Sequence, residues 1–276
     1  MPDAALHFSG VTFGFGKDRL LFQDFTCTLK NDASAGKIIA LMGPSGVGKT
    51  TFCDLALGTY RPQSGTISLS PAANFAVIPQ RGVLFNELSV RDNITCLQHS
   101  QNLGTSFREA RVQHAVESLN LGRVVQNNTR TAALSGGEAQ RVMLARIQTI
   151  DCNFLVLDEP CSFLDNRVKD SFLKALRTTV DEQRLLALMV THVWEEARHV
   201  ADEVVFFHQT PGQPVMVHKM TPDAAFRRPP TLDAMFAIHW PDCRLIDLQG
   251  PADAQPRSGV IPPPGARYVV IARENG

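Results

Sequence analysis

Eight residues, Gly43-Pro44-Ser45-Gly46-Val47-Gly48-Lys49-Thr50, have the types and spacing needed to hold a chain of phosphates. A polyphosphate needs several donors converging on it with no side chains in the way. Glycines let a backbone curl until its N–H groups point inward, and a helix that begins behind the curl adds unpaired N–H groups and the positive end of its dipole. Lys49 would then reach the outer phosphates and the Thr50 hydroxyl would hold Mg²⁺. The pattern requires a strand before it and a helix after it. Lys37-Ile38-Ile39-Ala40-Leu41-Met42 reads as a buried strand, and Thr51-Phe52-Cys53-Asp54-Leu55-Ala56-Leu57 as a helix stopped by Gly58.

Other chemical groups fall at the ends of apolar runs. Phe154-Leu155-Val156-Leu157 delivers Asp158 and Glu159 at what would be a strand C-terminus, the edge of an open α/β sheet where ligands bind. Asp158 suits a Mg²⁺ shell and Glu159 suits polarising a water. Two acids before Pro160 would also make a polar turn, but the apolar strand aims them at the edge that carries the glycine loop. The run Leu185 to Val190 ends at Thr191-His192, and Asn74 to Ile78 ends at Pro79-Gln80. An uncharged amide at Gln80 could reach a metal or a water, though a lone glutamine at a strand end is commonly polar surface. A lone histidine is commonly structural, yet the shared sheet edge favours a role for His192. Phe15, in a run of alternating aromatics, is either core or a face for a stacked base.

Leu134-Ser135-Gly136-Gly137-Glu138 opens another helix, Val142 to Ile147. Ser135 and Glu138 have capping-box spacing. Two consecutive glycines at a positive helix end would also expose N–H groups to an anion, and a capping box needs no glycine, so the pair favours a second phosphate-binding element.

The elements that must position these groups follow from periodicity. Residues 6 to 30 alternate as half-buried strands, and Thr66 to Leu69 is another short strand. Residues 86 to 133 read as an inserted helical subdomain: Ser106 and Glu109 have capping-box spacing, and Val112, Ala115, Val116 and Leu119 follow at helical spacing. A helix through Val168, Phe172, Leu173 and Leu176 comes next, and then Val193 to Val200, with Glu195, Glu196 and Arg198 expected on its exposed face. Val204 to Phe207 is the last clear core strand. Eleven of the seventeen prolines fall after residue 208, including Pro229-Pro230 and Pro262-Pro263-Pro264, so residues 209–276 read as an extension without long helices. Val215 to Val217 and Tyr268 to Ile271 are its candidate strands.

With 276 residues, 44% of them apolar, the chain can bury a sizeable core. Basic and acidic residues balance at 27 each, which gives no bulk attraction to nucleic acid or anionic membrane. No apolar run approaches the roughly 20 residues of a membrane span. The N-terminal residues lack the pattern of a signal peptide, and six scattered cysteines without a Cys-x-x-Cys pair suit a reducing, cytoplasmic setting.

Taken together, these residues resemble the nucleotide-binding subunit of an ATP-binding cassette (ABC) transporter over roughly residues 6 to 208. The resemblance rests on Gly43 to Thr50, the Gln80 loop, Leu134 to Glu138, Asp158-Glu159, Ser162-x-Leu164-Asp165 and His192, all in the family's order. It implies a P-loop NTPase (RecA-like) α/β core with an antiparallel β edge and an inserted helical subdomain. It also implies two copies, or two similar subunits, paired head to tail. ATP would contact Phe15, Gly43 through Lys49, Thr50, Thr51 and Asp158 of one subunit, with Leu134, Ser135, Gly136, Gly137, Glu138 and Asp165 of the other. Lys49, Gln80, Glu159 and His192 would carry the chemistry, and Thr50, Gln80 and Asp158 would hold Mg²⁺. A separate transmembrane permease is the implied partner, contacted near Phe85, Asn86 and Glu87 on the inner face of the cell membrane, with no nucleic acid. Departures from the family pattern are Glu138 where Gln is common, Phe163 where a small residue is common, and Val193 where importer-type subunits have Asp after the histidine. Import is favoured over export by the His192-x-x-Glu195-Glu196-Ala197 region. A nucleotide kinase shares the glycine loop but leaves Leu134 to Glu138 and His192 unexplained. A soluble ABC ATPase acting on nucleic acid or ribosomes usually carries two cassettes or long coiled coils, and neither is present.

Overall fold

The computed structural model describes residues 4–16, 20–31, 35–70, 74–80, 84–98, 105–162, 164–209, 213–221, 243–247 and 268–272. Phe163 and the proline pair and triplet of the extension lie outside them. Strands β1 (Ala5–Gly14) and β2 (Leu20–Lys30) pair antiparallel. β3 (Lys37–Met42) leads through a loop into α1 (Lys49–Ala56), and β4 (Ser64–Ser70) returns to β1. A three-stranded antiparallel sheet, β2-β1-β4, results.

The second sheet takes in β3, β5 (Phe75–Ile78), β6 (Phe154–Asp158), β7 (Leu186–Val190), β8 (Glu203–His208) and β9 (Met216–Met220), in the order β5-β6-β7-β3-β8-β9. All its neighbours are parallel except β8 and β9. Between Lys37 at the start of β3 and Asp158 at the end of β6, its central strands are apolar because both faces are covered, as expected for parallel strands. On β3, Ile39 and Leu41 face a core shared with Leu6, Phe8 and Val11 of the antiparallel sheet. Ile38, by contrast, joins the opposite core with Leu155, Leu157 and Met189. Phe52 of α1 is fully buried between the sheets. It stacks on Phe8 at 4.4 Å and meets Phe207 of β8 edge-on at 5.4 Å. Such a ring contributes on the order of 3 kcal/mol, and here it pins the helix that follows the glycine loop.

The connection from β5 to β6 holds α2 (Val90–Thr95), α3 (Thr105–Ser118), α4 (Gly122–Gln126), a 3₁₀ turn at Thr131–Ala133 and α5 (Gly136–Gln148). Val112, Ala115, Val116 and Leu119 are buried, as their spacing predicts. The capping box expected at Ser106 is different in the structure. The helix already includes Thr105, and the Glu109 carboxylate pairs with Arg91 of α2. A charged partner on a neighbouring helix replaces the local backbone bond.

α6 (Asn166–Gln183) and α7 (Trp194–Val200) complete the layer. Glu195 and Arg198 of α7 are exposed, but Glu196 is not: it is 3% exposed. Lys169 of α6 gives it an ionic partner at 2.8 Å, which makes burial tolerable. In the extension, β9 takes in Met216 and Val217 of the expected Val215 to Val217 but leaves Val215 out and runs on to Met220. Tyr268–Ala272 is a strand (β11), paired antiparallel with β10 (Cys243–Asp247), which the sequence did not suggest.

Candidate active site

The loop between β3 and α1 has positive φ at Gly43 (141°) and Gly48 (108°). A Cβ on Gly43 would lie 2.3 Å from the Phe207 carbonyl oxygen, so the loop crosses the end of β8 with no room for a side chain. Gly48 sits at the N-cap of α1 in the left-handed region that glycine occupies without strain. Val47 turns into the core between the sheets, leaving only its backbone for a ligand. Lys49 is 7% exposed, and its Nζ donates to the carbonyl oxygens of Gly43 and Pro44, each at 2.8 Å. Burial pushes the Lys49 ammonium below its ordinary pKa, while Glu159 and Asp158 pull it back up.

A cleft of about 430 Å³ opens over this loop. Ser45, Gly46, Gly48, Lys49, Thr50 and Thr51 form its floor, and Asp158 and Glu159 form one wall. Phe15 stands at its rim, 70% exposed, edge-on to Phe13 and Tyr60 at 5.3 and 5.7 Å. Burial raises the Asp158 carboxyl, and the negative charges of Glu159 and Asp54 raise it further.

A second cleft, about 490 Å³, adjoins the loop and is lined by Gly43, Pro44, Gln80, Glu159 and His192. Glu159 belongs to both. Its φ is 44°, a conformation that costs a non-glycine residue about 1 kcal/mol. Its N–H donates to the Val190 carbonyl oxygen at 3.0 Å, which anchors the turn to β7. The Glu159 Oε2 atom accepts from Gln80 Nε2 at 2.9 Å and Ser162 Oγ at 3.0 Å, and Oε1 lies 3.1 Å from His192 Nδ1. Three turns, after β5, β6 and β7, thus converge on one carboxylate. Ser162 belongs to the Ser162-x-Leu164-Asp165 motif, which by itself gives it no bond to Glu159; its place three residues after Glu159 is the available signal.

Leu134 to Glu138 line neither cleft. Ser135 and Gly136 are exposed at the start of α5, and Gly137 is buried. The capping box forms in full. Glu138 Oε2 accepts from the Ser135 N–H at 2.9 Å and hydroxyl at 2.7 Å, and the Glu138 N–H donates to Ser135 Oγ at 3.3 Å. These bonds hold the Glu138 carboxyl below its ordinary value, with Arg141 and Arg123 contributing. The N–H groups of Gly136 and Gly137 are then the donors this helix end can present. Gly137 also has a packing cause that the sequence did not reveal: a Cβ there would lie 2.2 Å from Val168 Cγ1 on α6. Asp165, assigned to the same cross-subunit set, caps α6, its Oδ1 accepting from the N–H groups of Arg167 and Val168 at 3.0 Å each.

Among the described residues no group of three or more His, Cys, Asp or Glu could hold a metal by itself. Thr50 and Asp158 nevertheless fit Mg²⁺, which takes one or two protein oxygens beside substrate phosphates and keeps several waters. The crowding that raises the Asp158 carboxyl is what a divalent cation would relieve.

A parallel sheet with a glycine loop, two acids and a histidine at one edge, flanked by an antiparallel sheet, defines a P-loop nucleotide-binding α/β domain. The ABC transporter family model matches residues 28–162. The thiamine import ATP-binding protein ThiQ of Vibrio vulnificus is 36% identical over 184 residues, covering 63% of this chain and 78% of that one. The sulfate/thiosulfate import ATP-binding protein CysA of Yersinia pseudotuberculosis is 30% identical over 240 residues, covering 82% of this chain and 63% of that one. Among solved structures, cbiO1 from Clostridium perfringens, part of an ABC transporter complex, superposes with a TM-score of 0.70 at 20% identity, over 86% of this chain and 95% of that one. An ATP-binding subunit of an ABC transporter gives 0.65 at 23% identity, over 80% and 92%. The chain belongs to the ABC transporter family, among its ATP-binding subunits.

Proposed function

We propose that this protein binds and hydrolyses ATP as the motor subunit of an importer whose membrane-spanning permease is a separate chain. The observation that carries the reading is the Glu159 carboxylate, held by Gln80, Ser162 and His192 beside the glycine loop. A carboxylate in that position can polarise a water against a terminal phosphate bound by Lys49. Lys49 would exchange its bonds to Gly43 and Pro44 for phosphate oxygens, and Phe15 would stack on the adenine. Mg²⁺, held by Thr50 and Asp158 with Gln80 at its margin, would neutralise charge building on the phosphates.

The Ser135–Gly137 helix end lies outside the cleft of its own subunit and completes that of a second copy arranged head to tail, together with Asp165. ATP draws the two copies together because its oxygens serve two facing helix ends. Hydrolysis removes that bridge. Phe85 is 49% exposed and, with Asn86 and Glu87, offers a surface to the permease. Among the described residues no helix is long and apolar enough to cross a membrane, which fits a subunit peripheral to the cytoplasmic face. Both named relatives are import proteins, and the direction of transport proposed here follows them.

The test is Glu159→Gln. It should retain ATP binding, lose hydrolysis by at least about 100-fold, and accumulate an ATP-dependent dimer in sedimentation. Adding Ser135→Arg should dissolve that dimer without affecting nucleotide binding by the monomer. Rapid turnover by Glu159→Gln, or a dimer that persists with Ser135→Arg, would overturn the reading.

A further inference from the structure

His192 has an exposed imidazole, with 60% of its side chain open to solvent, and among the described residues its ring meets Glu159. Its aim therefore depends on the backbone turn at residues 191–193, and that turn has an internal fastening. The Thr191 N–H donates to the Leu41 carbonyl oxygen on β3 at 3.2 Å, tying the turn to the strand that leads into the glycine loop. Thr191 Oγ1 accepts from the Val193 N–H at 3.1 Å and donates to Glu196 Oε2 at 2.6 Å. Glu196 Oε1 takes the Lys169 ammonium at 2.8 Å. A hydroxyl has one proton, so giving it to the carboxylate leaves a lone pair for the Val193 N–H and fixes both bonds.

We propose that Glu196, acting through the Thr191 hydroxyl, is a positioning residue that holds the turn bearing His192 against Glu159. The carboxylate touches neither cleft, and its burial makes the bonds to Thr191 and Lys169 the stronger. Lys169 stands one turn into α6, with its N–H donating to the Asp165 carbonyl oxygen at 2.8 Å. The same chain of bonds thus reaches from the turn that carries Asp165 to the turn that carries His192. A buried ion pair between α6 and α7 that served only to join the helices would need no hydroxyl at residue 191.

This inference rests on the reading of the site as an ATPase. Thr191→Val keeps the shape and the Glu196–Lys169 pair and removes only the hydroxyl bonds. Purified wild type, Thr191→Val and Glu196→Gln should share one Michaelis constant for ATP, with kcat lower by about fivefold in the variants. In a His192→Ala background, Thr191→Val should have no further effect on kcat, since what it positions is already gone. The His192 ring resonances should shift in both single variants, measured at temperatures where thermal melts show all proteins folded. An equal loss of kcat with and without His192, or unchanged His192 resonances in Thr191→Val, would refute the proposal. Wild-type protein that does not hydrolyse ATP would sink the reading of the site, and the resonances would then decide the positioning role alone.

Discussion

Gly137→Ala separates packing from ligand binding at the start of α5. The added Cβ would sit 2.2 Å from Val168 Cγ1, far inside van der Waals contact. A valine on a helix has one preferred rotamer, so the methyl cannot swing aside cheaply. Overpacking of this kind costs about 1–3 kcal/mol, and alanine's better helix propensity returns roughly 1 kcal/mol. A net loss of up to about 2 kcal/mol is expected in urea unfolding. Val168→Ala alone should cost roughly 1 kcal/mol by removing partly buried methyls. In the double variant the clash is absent, and the cycle should show a favourable coupling of about 1–3 kcal/mol, the overpacking term alone. Two effects that simply add would show that the close approach of α5 to α6 does not require the glycine.

Lys49→Ala should weaken ATP binding by at least about tenfold, measured by calorimetry, and abolish phosphate release, because the ammonium that would trade its bonds to Gly43 and Pro44 for phosphate oxygens is gone together with its positive charge. Glu138→Gln should flatten the acid limb of the stability profile. The fold lowers the Glu138 carboxyl, so its contribution is complete above the ordinary glutamate range and is lost as pH falls through the lowered value. Melting midpoints followed from neutral to acid pH check this, and an unchanged acid limb would refute it.

The groups that line the clefts were legible because each depends on local pattern: an apolar strand, then a polar residue at its end. Gly43 to Thr50, Asp158, Glu159, Gln80 and His192 are all of this kind, and parallel strands bring their C-terminal ends to one edge whatever the loops between them do. Contacts between elements distant in the chain were not legible. Glu196 read as exposed because nothing near it announces Lys169. The packing of Gly137 against Val168 left no trace, because Val168 does not enter a one-dimensional pattern. Ser106 and Glu109 carried the spacing of a capping box but not the rival guanidinium of Arg91. The left-handed backbone at Glu159 had no signal either, since a glutamate before proline implies extended geometry and the turn here is set by β7.

That turn gives Glu159 a particular genetic character. One carboxylate is the knot at which three separate loops meet, so cutting it out with alanine would loosen Gln80, Ser162 and His192 at once and blur lost chemistry with lost shape. Glutamine leaves an oxygen for the donors while taking away the charge. The two substitutions should therefore yield different phenotypes, and the gap between them measures how much of the residue's importance is architectural.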